Sequence, residues 1–449
     1  MSDSPPDPST APGAIAPDIV GSALAANEGA SKKKIISWAM WDWGTQPFNT
    51  VITTFVFSVY ITSASFGTEN YTSQSLATST TIAGLFIALL APVLGQNADR
   101  RGSKLKSLRY LTWALAAISA SLFVVRPDPA YLWVGLILLG VGSVVCEIAG
   151  VNYNALLDDV ATERNVGRVS GFGWGMGYLG GILVLLLIYF LFIQPDVGLF
   201  GVTGDDGMDI RVSMLVCGLW TLIFTIPTFL NLKERPRTNL APATGVLDSY
   251  RELGRSVKRI WRASPHTIYF LLASALFRDG LAGVFAFGAV IAAGTFGFSA
   301  GEVIIFGAAA NIVAGLSTMA FGLLDDRIGP KRVILISLFS LVILGIAIFF
   351  LYDRGPIVFW ISGMLMTVFV GPAQSASRTF LARLIPVGRA GEIFGLYATT
   401  GRVVSFMSPA AFGLMIGLGA LVTGKENTQY WGILGIVVVL LAGLIVMIP

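Results

Sequence analysis

The chain has 449 residues, 54% of them hydrophobic and only 12% charged, with a net charge of +4. That balance excludes a soluble globular protein, whose charged share is about twice as large, and the small positive charge is too dispersed for a soluble basic domain that grips nucleic acid. The two cysteines, Cys146 and Cys217, both fall in apolar stretches and read as packing residues, so neither a disulfide framework nor a metal cluster is expected.

In chain order, residues 1–34 are rich in Pro, Ser, Ala and Gly and lack a basic start followed by a compact apolar core and cleavage site, which predicts a disordered cytoplasmic tail ending at Lys32-Lys33-Lys34. Apolar runs follow at 36–64, 75–96, 107–125, 131–157, 169–193, 211–231, 266–294, 302–324, 333–351, 356–377, 392–419 and 430–448. Each is long enough to cross a hydrocarbon core of about 30 Å as a helix. Stretches such as Gly181–Phe192 do not alternate as barrel strands do. The predicted fold is an all-α membrane protein of twelve transmembrane helices, with a six-helix bundle in 35–231 and a second in 266–449. The fifth run carries Gly171, Gly173, Gly175, Gly177, Gly180 and Gly181, a composition suited to close helix packing. Between the halves, 232–265 is a basic cytoplasmic linker. Its Ser249–Arg262 part predicts an amphipathic helix that turns Leu253, Val257, Ile260 and Trp261 towards lipid.

Lysine and arginine collect on alternate connections. Lys32–Lys34, Arg100, Arg101, Lys104, Lys106, Arg109, Arg164, Arg168, Arg327, Lys331, Arg332, Arg383 and Arg389 share one side, against Arg126, Arg211, Arg354 and Lys425 on the other. Positive charge stays on the side from which the chain inserts, so both termini are expected in the cytoplasm.

The two halves repeat one another. Gly95-Gln-Asn-Ala-Asp99-Arg100-Arg-Gly102-Ser-Lys104 follows the second run, and Gly322-Leu-Leu-Asp-Asp326-Arg327-Ile-Gly329-Pro-Lys331 follows the eighth. A weaker echo joins Asn165–Gly171 to Arg389–Gly395. The repeated loop has the makings of a conformational latch. Its glycines permit a tight turn, its basic residues hold it at the membrane surface, and Asp99 or Asp326 can face a helix N-terminus or a cation on a neighbouring span.

With these loops the chain resembles the major facilitator superfamily over about residues 36–449. The resemblance implies two six-helix bundles around a central cavity lined mainly by spans one, four, seven and ten and opened alternately to each side. Ser37–Phe48 and Leu276-Phe-Arg-Asp279-Gly280 are similar to the branch of autophagy-linked vacuolar amino-acid effluxers and their bacterial relatives. That implies a bacterial inner-membrane location and makes an amino acid the leading solute. The chain departs from the branch at Gly44-Thr45-Gln46, where Ala-Asn-Ser is common.

Ionisable groups inside spans cost about 2.5–3.5 kcal/mol each on insertion scales, which makes each a functional candidate. These are Asp42, Glu147, Arg278, Asp279 and Arg402, joined by the polar Asn49, Asn152, Asn154, Gln374 and Arg378. Asp42 and Asp279 read as equivalent positions of the two halves, although Asp42 lies nearer a span end and suits a cytoplasmic gate. Adjacent helical residues point about 100° apart, so Arg278 and Asp279 should seek partners on other spans, Glu147 and Arg402 among them. In an amino-acid site, Asp279 or Glu147 would take the ammonium and Arg278 the carboxylate. The lone His266 stands at a span edge, which leaves Glu147 and Asp279 for proton coupling and excludes Ser-His-Asp or Cys-His catalysis. No phosphate-cradling Gly-rich loop is present, which disfavours a primary pump.

The expected function is secondary active transport of a small polar solute, with protons or another ion for coupling, membrane lipid as surroundings and a monomer as the working unit. No cofactor is expected and no enzyme activity. Sugar or peptide transport, or a non-transporting receptor of the same fold, are the alternatives.

Overall fold

The computed structural model describes residues 30–67, 69–233, 245–263, 265–298, 300–385, 389–424 and 428–448. The expected tail lies outside them up to residue 29. Among the described residues, ten helices are long and apolar enough to cross a membrane. Two further elements bring the spans to twelve. Span one is broken into Lys32–Pro47, a wide π-helical stretch Phe48–Phe55 and Phe57–Ile61. Span twelve, Trp431–Met447, has 17 residues, about 25 Å of helix at 1.5 Å per residue. The intervening spans are Glu69–Arg101, Lys104–Ser121, Leu132–Ala155, Val166–Ile188, Met208–Asn231, Pro265–Gly294, Ala300–Ile328, Pro330–Phe350, Pro356–Leu384 and the two-part eleventh, Ala390–Val404 with Met407–Thr423.

The irregularities have local causes. In span one, the Thr53 and Thr54 hydroxyls donate to the Asn49 carbonyl at 2.7 and 2.8 Å, and the Val56 N–H reaches back five residues to the Val51 carbonyl. Hydroxyls that compete for a carbonyl in this way loosen the α-helical ladder. In span two, Pro92 has no N–H to give the Ala88 carbonyl, and Thr399 of span eleven donates to that carbonyl instead, at 3.0 Å. In span eleven, Pro409 cannot bond the carbonyl of Ser405, and the helix breaks at Ser405–Phe406.

The first six spans and the last six form two bundles, which meet along spans five and eight and along spans two and eleven. The glycines of span five allow this. A Cβ at Gly171 would fall 2.6 Å from the Thr318 carbonyl oxygen, and one at Gly175 2.8 Å from that of Gly315, both on span eight. On the opposite face, about half a turn away, Gly173, Gly177 and Gly180 lie against Trp38, Gln46 and Trp43 of span one. The span therefore packs closely on two faces, one within its own bundle and one across the interface.

The linker contains a helix, Val246–Ala263, but its apolar side does not face lipid as the sequence suggested. Leu253 is buried in the main core, Val257 and Ile260 pack against that core, and only Trp261 is largely exposed. Packing on the protein removes the same apolar area from water without needing a membrane surface. Arg255, Lys258 and Arg262 point outwards.

Candidate functional site

Both repeated loops end in a glycine turn with positive φ, +57° at Gly102 and +87° at Gly329, a conformation that side chains with a Cβ rarely adopt. The turns set the preceding carboxylates against the other bundle. Asp326 accepts from the Gly167 and Arg168 N–H groups at 2.8 and 3.1 Å, in the first turn of span five. Asp99 accepts from the Glu392 N–H at 2.9 Å, in the first turn of span eleven. Arg168 and Glu392 are matching positions of the weaker echo, so the two latches are related copies that cross the interface in opposite directions. Each places a negative charge on unsatisfied N–H groups at the positive end of a helix. The Gly322 opposite Gly167 lets the backbones approach, a Cβ there falling 2.7 Å from the Gly167 carbonyl oxygen, and Gly95 is buried.

The copies differ in their cations. Fully buried Lys104 donates to the Ala155 carbonyl at 2.8 Å and lies 3.7 Å from Asp99 and 3.4 Å from Asp158. Its counterpart Lys331 bonds the Ile448 carbonyl instead, and Arg383 fills the place near Asp325 and Asp326 at 3.6 and 3.9 Å. Arg100 is ion-paired with Glu252 of the linker helix, whereas Arg327 is exposed.

Arg378 of span ten closes the interface one layer further in. Its guanidinium donates to the Ser170 hydroxyl, the Ser170 carbonyl and Asn154 Oδ1 at 3.0, 2.6 and 3.1 Å, and Asp42 lies 3.7 Å away. The rings of Trp38, Trp174 and Tyr153 stand 5.0, 5.6 and 5.8 Å from its centre. Trp38 and Trp41 stack on Tyr153 at 4.4 Å, so these tryptophans of span one are core groups and not interfacial anchors. A planar, permanently charged fork is the side chain best suited to such a set of acceptors and aromatic faces.

Above this floor lies a cavity of about 560 Å³ that extends away from the basic loops along Asn49, Thr53, Thr80, Ser143 and Ser405. Its charged groups are held differently. Glu147 of span four and Arg402 of span eleven form an ion pair across the two bundles at 2.9 Å, with side chains 30% and 39% exposed. Arg278 donates to the Tyr397 carbonyl at 3.1 Å and lies 3.9 Å over the Tyr397 ring, with no carboxylate within 4 Å among the described residues. Asp279 turns away from its neighbour and accepts from the Ser408 N–H at 2.6 Å.

The cavity thus gathers Asp42, Asn49, Glu147, Arg278, Asp279, Gln374, Arg378 and Arg402. Asn152 is placed elsewhere, buried and donating to the Ile148 carbonyl at 3.0 Å. Asp42 and Asp279 have different partners, the Arg378 guanidinium at 3.7 Å and the Ser408 N–H at 2.6 Å. The wall also includes spans two and eleven, with Tyr397 and Gly401, and Trp174 from span five. Tyr153, Tyr397 and Ser170 were missed because aromatic and hydroxyl residues inside spans are ordinary packing groups, and only their arginine partners mark them out.

Residues 58–448 match the family described as vacuole effluxer Atg22-like. A Bacillus subtilis protein described as an uncharacterized MFS-type transporter is 28% identical over 409 residues, 89% of this chain and 91% of the relative. Autophagy-related protein 22 of Yarrowia lipolytica is 26% identical over 309 residues, and the match spans about half of that longer protein, 51%. Among solved structures, a bacterial homologue of the iron transporter ferroportin in an outward-facing state covers 93% of this chain and 98% of its own at a TM-score of 0.68 and 16% identity. The proton:xylose symporter XylE covers 92% and 93% at 0.66 and 14%. At such identities the solved structures establish the fold alone. Twelve spans in two bundles, duplicated latch loops and a match along nearly all of the chain lead to one assignment: this is a major facilitator transporter that belongs to the Atg22-like vacuole effluxer family.

Proposed function

We propose that the chain is a secondary active transporter of a small zwitterionic solute, an amino acid or a metabolite of similar charge, and that it works by alternating access. The observation that carries this reading is the wet Glu147–Arg402 pair beside Arg278, which has no carboxylate within 4 Å among the described residues, inside a cavity of about 560 Å³. A receptor that moves nothing has no need of charges facing water within the membrane, where their insertion is costly. A zwitterion replaces the internal pair at little electrostatic cost, its ammonium on Glu147 and its carboxylate shared by Arg402 and Arg278. The family description supports movement of a solute out of a compartment; an amino acid fits the charges.

With the basic loops in the cytoplasm, the latches and the Arg378 knot close the inner side and the cavity opens outwards. Inward opening then requires Asp99, Asp326 and Arg378 to leave their partners. Proton coupling falls to the cavity carboxylates, Glu147 first, because His266 stands at the edge of span seven. Both termini lie inside, in the inner membrane of a bacterium. Uptake into proteoliposomes tests the reading. Labelled amino acids should saturate transport and compete with one another, and Glu147→Gln should lose most of the rate. Transport of sugars with no effect of amino acids would overturn it.

A further inference from the structure

Span eleven is tied to both the latch and the cavity pair: Glu392 in its first turn meets Asp99, and Arg402 in the last turn before its break meets Glu147. What fixes the angle of that break therefore fixes where Arg402 stands. Beyond the break, the half-helix Met407–Thr423 begins in the middle of the membrane with unsatisfied N–H groups, and its own preceding residue, Phe406, offers no side-chain cap. Water normally solves this at a protein surface, but Ser408 is fully buried. Asp279 supplies the missing acceptor from span seven, at 2.6 Å from the Ser408 nitrogen.

One residue earlier, Arg278 holds the other side of the break, through the Tyr397 carbonyl and ring and with its guanidinium against Gly401. One turn later, Gly283 leaves the space that Ser408 occupies. Consecutive residues of a helix point about 100° apart, and here that divergence lets one span grip both halves of another. The cation meets a carbonyl of the half-helix that ends at the break, and the carboxylate meets the Ser408 N–H of the half-helix that begins there. The Asp279 contact has the sign that the helix dipole favours.

We propose that Asp279 is a positioning residue, an interhelical cap that sets the bend of span eleven at Ser405–Phe406 and so places Arg402 against Glu147, and that it does not itself bind the solute. The inference rests on the reading of Glu147 and Arg402 as solute ligands, and it removes Asp279 from the residues that sequence reasoning offered for the ammonium.

The test uses the full chain in nanodiscs and proteoliposomes with two variants. Asp279→Asn keeps an acceptor oxygen for the Ser408 N–H but loses the charge, whereas Asp279→Ala loses both. Hydrogen exchange of the amides at Ser408 and in the turn that follows is the readout that needs no solute. Asp279→Ala should speed exchange there at least tenfold, and Asp279→Asn should stay within threefold of the unsubstituted chain. Transport should follow the same order, with the alanine variant losing rate more than apparent affinity and the asparagine variant rescuing it. Protection unchanged in Asp279→Ala would overturn the proposal. So would an asparagine variant as inactive as the alanine one with normal protection, because that result makes the charge a solute ligand. Failure of all transport with the expected exchange pattern would instead strike the functional reading and leave the cap standing.

Discussion

Removing the Asp326 carboxylate should open the interface on the basic face, and the size of the effect follows from its contacts. The side chain is 5% exposed and accepts two backbone N–H groups at 2.8 and 3.1 Å. A hydrogen bond to a charged group contributes about 1.5–3 kcal/mol. The lower end applies at a loop near water, so Asp326→Ala loses about 3 kcal/mol for the two bonds. These bonds exist only while spans five and eight are apposed, and each 1.4 kcal/mol is a factor of ten. The alanine variant should therefore favour the inward-open arrangement about a hundredfold more than the unsubstituted chain does. Asp326→Asn keeps one neutral acceptor and should shift the balance about thirtyfold. Spin labels at the exposed Arg164 and Arg327 lie on the two sides of this contact. Their distance distribution, measured by pulsed electron resonance, should lengthen in the order unsubstituted, Asn, Ala. A distribution in the alanine variant identical to that of the unsubstituted chain would refute the latch.

Two further substitutions probe neighbouring layers. Gly171→Val should act in the same direction as Asp326→Ala, because its Cβ would sit 2.6 Å from the Thr318 carbonyl oxygen; overpacking of this kind costs about 1–3 kcal/mol, paid only in the closed arrangement. Labels at Arg164 and Arg327 report it. Arg378→Lys keeps the charge but cannot reach Ser170 and Asn154 with a planar fork. It should stop transport and lower the thermal midpoint in detergent, since breaking a buried charged network costs about 3–5 kcal/mol.

The repeated loop was legible in part: its glycines and carboxylates are marked by sequence spacing, whereas its cations are not, because Lys331 turns to the Ile448 carbonyl and Arg383 takes the place beside Asp325 and Asp326. The charged residues of the cavity were legible for a different reason, the cost of placing Glu147, Arg278 or Arg402 in a membrane. Their pairing was not. Whether Arg402 meets Glu147 or Asp279 depends on the rotation of spans fixed by distant packing, as at Gly171 and Gly283, and no short-range pattern encodes it. The break in span eleven carried a signal, Pro409, hidden within an apolar run that hydropathy reads as continuous. The linker helix was read correctly as amphipathic but assigned the wrong neighbour, because an apolar stripe fits a protein core as well as a bilayer.

The central claim is that the cavity charges recognise a zwitterion and carry it across. Counterflow in proteoliposomes tests this most directly: vesicles loaded with an unlabelled amino acid should accumulate the labelled one transiently, and both Glu147→Gln and Arg402→Gln should abolish the overshoot while the latch distances stay normal. An overshoot that persists in both variants would contradict the account.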